Sequence, residues 1–137
     1  MIVGFLVFGI VVGLALLFLL SRFGKRLHQR TLDTKYYDVK WAEILARVKT
    51  PDGMILAVID ADKLLDDALI KTGYRGKTMG ERMVAAQKTF SNNDSVWFAH
   101  KLRNRLVHEP DSRLRQYDAK NALSGFRQGL RDLGAIE

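Results

Sequence analysis

Apolar residues in this chain follow two regimes. From Met1 to Leu20 they run almost unbroken, as Ile, Val, Phe and Leu with glycine between them and no charged side chain. A helix of that length, at about 1.5 Å per residue, crosses the ~30 Å hydrocarbon layer of a bilayer. From Thr34 onward they recur at three- and four-residue spacings instead, the period of helices that bury one face.

Tyr37, Trp41, Ile44, Leu45 and Val48 predict a first amphipathic helix ending at Lys49, where Thr50-Pro51 supplies a cap and a proline at a first helical position. A second helix is predicted over 51–72, with Ile55, Val58, Ile59, Leu64, Leu65, Ala68 and Leu69 turned inward and Gly73 closing it. Asp60, Asp62, Asp66 and Asp67 then read as its acidic outer face. They lack the sixth-position glycine of a calcium loop. Thr78-Met79-Gly80-Glu81 is a capping box opening a third helix to about Phe90, and Ser91 to Asp94 forms the next turn and cap. A fourth helix, about 95–108, is expected to bury Trp97 or Phe98 with Ala99, Leu102 and Leu106, and Pro110 stops it. The last starts near Asp118, with Ala122, Leu123, Phe126, Leu130 and Leu133 on its apolar side. Gly125 and Gly129 inside it predict a close helix contact. No stretch alternates at period two. The fold class is therefore all-α: one N-terminal transmembrane helix, then a four- to five-helix bundle with short connections. The boundaries are 1–20 for the anchor, 21–33 for a basic juxtamembrane linker and 34–137 for the bundle.

Charge refines this picture. The net +7 is uneven: residues 21–30 carry +4, 31–70 carry −3, 71–115 carry +6 and 116–137 carry none. Arg22, Lys25, Arg26 and Arg30 follow the apolar run and nothing basic precedes it, so the positive-inside rule places the bundle in the cytoplasm, on a single-pass anchor in the cell membrane. A cleaved signal peptide fits less well, because the basic residues come after the run and no small-residue cleavage site follows. The first basic block suits anionic lipid headgroups of the bilayer. The second, which includes Lys101, Arg103 and Arg105, is a solvated surface or an anion-binding face. Gly9 and Gly13 form a Gly-x-x-x-Gly pair through which two membrane helices can approach closely. Cysteine is absent, which excludes disulfides and thiolate metal sites.

Several motifs drop out. Gly73-Tyr74-Arg75-Gly76-Lys77-Thr78 has Lys71 where a phosphate loop needs its first glycine, and no strand precedes it. His100 and His108 share a helical stripe with Asn104 but lie ~12 Å apart along it, too far for one metal. No cofactor or metal is called for.

What remains is Arg103-Asn104-Arg105-Leu106-Val107-His108. Here the chain resembles the HEPN superfamily, compact helical bundles whose nucleases carry an arginine, usually a polar residue after it, and a histidine four to six residues on. Arg103, Asn104 and His108 fit that pattern at its shortest spacing. The resemblance covers residues 34–137 in helix count and order, and these few residues in motif. It implies a homodimer that cleaves RNA without metal, each subunit bringing its own arginine and histidine. Members resembling the HepT-type toxins often carry a tyrosine two residues after the histidine. Pro110 stands there, so control by modifying such a tyrosine is not expected. Ala61 to Asp66 and Thr78 to Arg82 also resemble a family of bacterial membrane-anchored proteins, a likeness that names no activity.

The chemistry is coherent with that resemblance. Cleaving RNA without metal needs a base, an acid and positive charge beside the phosphorane; histidine serves both proton roles near neutrality. Arginine grips phosphate oxygens with a rigid, permanently charged fork. His108 is thus the expected general acid/base, Arg103 the phosphate clamp and Asn104 the orienting amide, with Lys101 and Arg105 adding phosphate attraction. Arg103 and His108 diverge by about 140° on a regular helix. A shared site needs the helix to loosen before His108, or a second subunit. Set against this is a helix ending whose Arg and His simply meet the negative end of the dipole. That alternative makes the bundle a non-catalytic module docking a protein partner at the membrane; a ligand-sensing role is a third option.

Overall fold

A computed structural model of the chain describes residues 9–19, 31–109 and 112–137. Residues 9–19 are helical (α1), with Ile10, Leu14, Leu17 and Phe18 exposed. Five helices follow: α2 (Thr34–Ala46), α3 (Pro51–Lys71), α4 (Met79–Ala86), α5 (Asn93–His108) and α6 (Gln116–Asp132). The described residues contain no strand, so the domain is all-α. Among them no helix is long and apolar enough to cross a membrane; of the expected anchor over 1–20 they include only 9–19. Arg22, Lys25, Arg26, Arg30 and Pro110 lie outside the described residues.

Polar residues set the helix starts. Asp33, Thr50, Thr78 and Asn92 each accept from the backbone amide three residues on, satisfying one of the donors a helix N-terminus leaves open. The capping box of α4 departs from expectation in one bond. Thr78 accepts from the Glu81 amide at 3.2 Å, but the Glu81 carboxylate reaches back to Lys77 N–H rather than to Thr78. At the other end of α3, Gly73 sits at φ +90, a left-handed conformation that lets the chain turn sharply out of the helix.

α3 is the hub. It packs against α2, α4, α5 and α6, while α5 and α6 pack on each other. It fills that place because Ala57, Val58, Ala61, Leu64, Leu65, Ala68 and Leu69 cover more than one stripe of its surface, and all are buried. Phe126, Leu130, Val96, Met83 and Tyr37 close the core around it. Burying each large apolar side chain contributes roughly 1.5–3 kcal/mol. The expected close contact at Gly125 is present: a Cβ there would stand 2.5 Å from the Ser95 carbonyl oxygen, so α6 can meet the start of α5 only without a side chain.

Some inward positions differ from the pattern. Leu45 is exposed, because among the described helices α2 touches only α3, and it ends one residue later. In α5 Val96 is fully buried together with the expected Ala99, whereas Trp97 is half-buried and Phe98 exposed. The larger correction concerns Asp62. Expected on an acidic outer face, it is 3% exposed. The acidic face is real only for its neighbours: Asp60 pairs with Arg47, Asp66 with Arg82 and Asp67 with Lys71.

Candidate functional site

Asp62 lies inside the bundle because it falls on the same α3 stripe as Val58, Leu65 and Leu69. A buried carboxylate must find partners, and α5 brings them. Asp62 Oδ1 is 2.7 Å from His100 Nδ1, and Asp62 Oδ2 is 3.3 Å from Arg103 Nε. The second contact is an ion pair by distance, but its angle makes no hydrogen bond, so Arg103 Nε stays buried without a hydrogen-bond acceptor. Arg103 Nη1 donates to Asn104 Oδ1 at 2.9 Å, and Asn104 Nδ2 lies 3.3 Å from His100 Nε2. The four side chains form one closed network. The His100 ring suits both its contacts as the tautomer that donates from Nδ1 to Asp62 and accepts at Nε2 from Asn104, and Arg103 Nε is the network donor left over.

The network forms one wall of a cleft of about 370 Å³ between α3, α4 and α5. Asp66 and Lys63 line it from α3, and Thr78, Met79 and Gly80 from the start of α4. Asp66 is fully engaged, since both its oxygens accept from Arg82, at 2.7 and 2.8 Å. That carboxylate holds the Arg82 guanidinium charged, above the ordinary arginine value. Arg82 Nη1 also donates to the Gly76 carbonyl, tying the loop before α4 to the helix.

The expected site residues are therefore sorted, not gathered. Arg103 and Asn104 turn toward Asp62 and His100. His108 is exposed at the last turn of α5 and takes no part in that network. α5 runs unbroken from Asn93 to His108, so within one chain the helix does not loosen to bring His108 round to Arg103. His108 shares the outer side of α5 with Lys101, Arg105 and Phe98, all exposed and all within about 80° of arc at 100° per residue. Among the described residues none of those three basic side chains has an ion-pair partner.

Sequence reasoning missed Asp62 and His100 as members of the site. The signal for His100 was its four-residue spacing from Asn104. The signal for Asp62 was an acid sitting within an apolar stripe. Neither reveals that the two stripes face each other.

Compared with protein-family models, with curated proteins and with solved structures, the chain matches none.

Proposed function

We propose that this is a HEPN-like helical domain, tethered to the cytoplasmic face of the cell membrane by residues 1–20, that binds RNA and cleaves it without metal as a homodimer. The single observation that carries this reading is the outer face of α5, where the exposed imidazole of His108 stands beside Lys101 and Arg105, whose charges have no ion-pair partner among the described residues. An imidazole open to solvent and flanked by cations suits proton transfer on a phosphodiester. Arg103 and Asn104, one turn earlier and braced by Asp62 and His100, are the residues that a second copy would lay against that imidazole. The tether is supported by α1, whose Ile, Val, Leu and Phe side chains face outward, and by the basic run 22–30 after it.

The test is cleavage of RNA by the full chain in detergent with a metal chelator present. The parent cleaves, while His108→Ala and Arg103→Ala do not. Equal inertness of all three, with no RNA retained at low salt, overturns the reading.

A second reading has its own observation. The Arg103 guanidinium is already committed to Asp62 and Asn104. This favours a tethered, non-catalytic module in which the motif holds α5 to α3 and the outer basic face meets a protein partner. RNA bound but uncleaved by every variant would leave an RNA-binding effector; RNA neither bound nor cleaved would leave this module.

A further inference from the structure

We infer that Asn104 is a proton-driven switch: when His100 takes up a second proton, the Asn104 amide turns over and its oxygen passes from Arg103 to His100. The amide has one oxygen and two neighbours that can claim it. Asn104 Oδ1 accepts from Arg103 Nη1 at 2.9 Å, and Asn104 Nδ2 lies 3.3 Å from His100 Nε2. A guanidinium carries donors only, so the oxygen faces Arg103 and the NH2 group faces the ring. That arrangement needs a lone pair on His100 Nε2, with the ring proton on Nδ1 pointing to Asp62 at 2.7 Å.

A second proton reverses the requirement. Imidazolium donates from both nitrogens, so Nε2–H would meet the Asn104 NH2 group head-on. The other side-chain oxygens on the cleft are engaged. Asp62 Oδ1 is bonded to Nδ1 and Asp62 Oδ2 faces Arg103 Nε. Both Asp66 oxygens accept from Arg82, and Thr78 Oγ1 accepts from the Glu81 amide. Turning the Asn104 amide by half a revolution gives Nε2–H its acceptor and sets NH2 against Arg103 Nη1.

Burial decides which donor keeps the oxygen. The His100 side chain is 11% exposed and that of Arg103 25%. An unmet donor costs more the less water it can reach, and the Arg103 guanidinium has a cleft of about 370 Å³ beside it. Charge works in the same direction. On the cleft, His100 faces Asp62, Lys63 and Asp66 from α3 and Arg103 from its own helix. From α4 the nearby charge is Arg82, spent on Asp66, and α6 places none of its charged groups there. Once His100 is positive, Asp62 serves two cations that repel each other, and its hold on Arg103 weakens. Acid therefore frees the Arg103 fork that the neutral ring keeps locked.

The experiment is an NMR titration of the 15N-labelled full chain in detergent, from about pH 8 to about pH 5, where an imidazole titrates. It follows the His100 ring nitrogens, the Asn104 side-chain amide and the Arg103 guanidinium. On acidification His100 Nε2 gains its proton, the Asn104 amide signals shift with the same midpoint, and the bonded Arg103 Nη1 hydrogens lose their separate resonance. In His100→Asn the new amide still offers Asp62 a donor but does not titrate, so the Arg103 signals stay fixed over that range. Arg103 signals that ignore the His100 midpoint overturn the switch, as does a His100 that takes no second proton while the bundle stays folded. A pH-dependent Arg103 in His100→Asn overturns it too. Should that variant not fold, the shared or unshared midpoint in the parent decides. None of these signals requires RNA or a second copy, so the switch stands or falls apart from the nuclease reading.

Discussion

Asp62 and His100, on different helices and 38 residues apart, share a 2.7 Å hydrogen bond inside the bundle. It is the point where α5 is pinned to α3 by polar rather than apolar contact. Removing the carboxylate would leave Arg103 without its counter-charge and the His100 ring N–H without an acceptor. Losing one member of a buried charge pair typically costs about 3 kcal/mol or more, a large share of a small domain's stability. Asp62→Ala should therefore lower the denaturant midpoint sharply. Asp62→Asn, which keeps an acceptor for His100, should lower it less.

His108 offers the contrast. It is exposed and outside the network, so His108→Ala should leave the midpoint within about 0.5 kcal/mol of the parent. If the RNA reading holds, the same variant loses cleavage while still binding RNA. Unchanged cleavage by a folded His108→Ala would remove His108 from the chemistry.

The outer face of α5 makes a prediction in salt. Each phosphate contact to a single strand adds about 0.7 to the slope of log affinity against log salt. Replacing Lys101 and Arg105 together by alanine should flatten that slope by roughly 1.4, with affinity falling at low salt and converging with the parent at high salt. An unaltered slope would place RNA elsewhere on the molecule.

Gly125 tests how α6 is seated. With Ser95 O 2.5 Å from the position a Cβ would take, Gly125→Ala must push α6 off the start of α5. Although alanine is the better helix former, overpacking against backbone costs about 1–3 kcal/mol and outweighs that gain. A thermal melt of the variant should shift down.

Tyr37 supplies a pH dependence. Burial first, and then its hydrogen bond to Asp67 at 2.7 Å, push the phenol well above its ordinary 10.0. The folded chain therefore holds this proton more tightly than the unfolded one. The resulting stability is complete below about pH 10 and declines as pH rises beyond it, because the unfolded phenol ionises first. Tyr37→Phe should cost about 1 kcal/mol near neutrality and give a flatter curve above pH 10. Chemical denaturation of both proteins from pH 8 to 11 measures the difference. Parallel curves would contradict the buried hydrogen bond.

Much of the bundle is written in local pattern. The five helices, the caps at Thr50, Thr78 and Asn92, the left-handed Gly73 and the close approach at Gly125 all follow from spacing and from the few residues that can occupy such places. Phe98 and Leu45 were harder, because a stripe names a face without saying how wide the neighbouring helix makes it. Both sit at the stripe's edge and stay exposed.

The sequence by itself determined an all-α bundle, to within two residues where each of its five helices begins, and that Arg103, Asn104 and His108 lie on one helix; α2 and α4 end at Ala46 and Ala86, earlier than the expected Lys49 and Phe90. Periodicity and capping are interactions within a few residues, so the linear order carries them. Only the tertiary structure decided that Asp62 is interior, that it takes His100 and Arg103 as partners, and that His108 is left on the other side of α5. Those outcomes depend on the rotation of α5 against α3, which is set by apolar packing across the whole core and by the need of one buried carboxylate for donors.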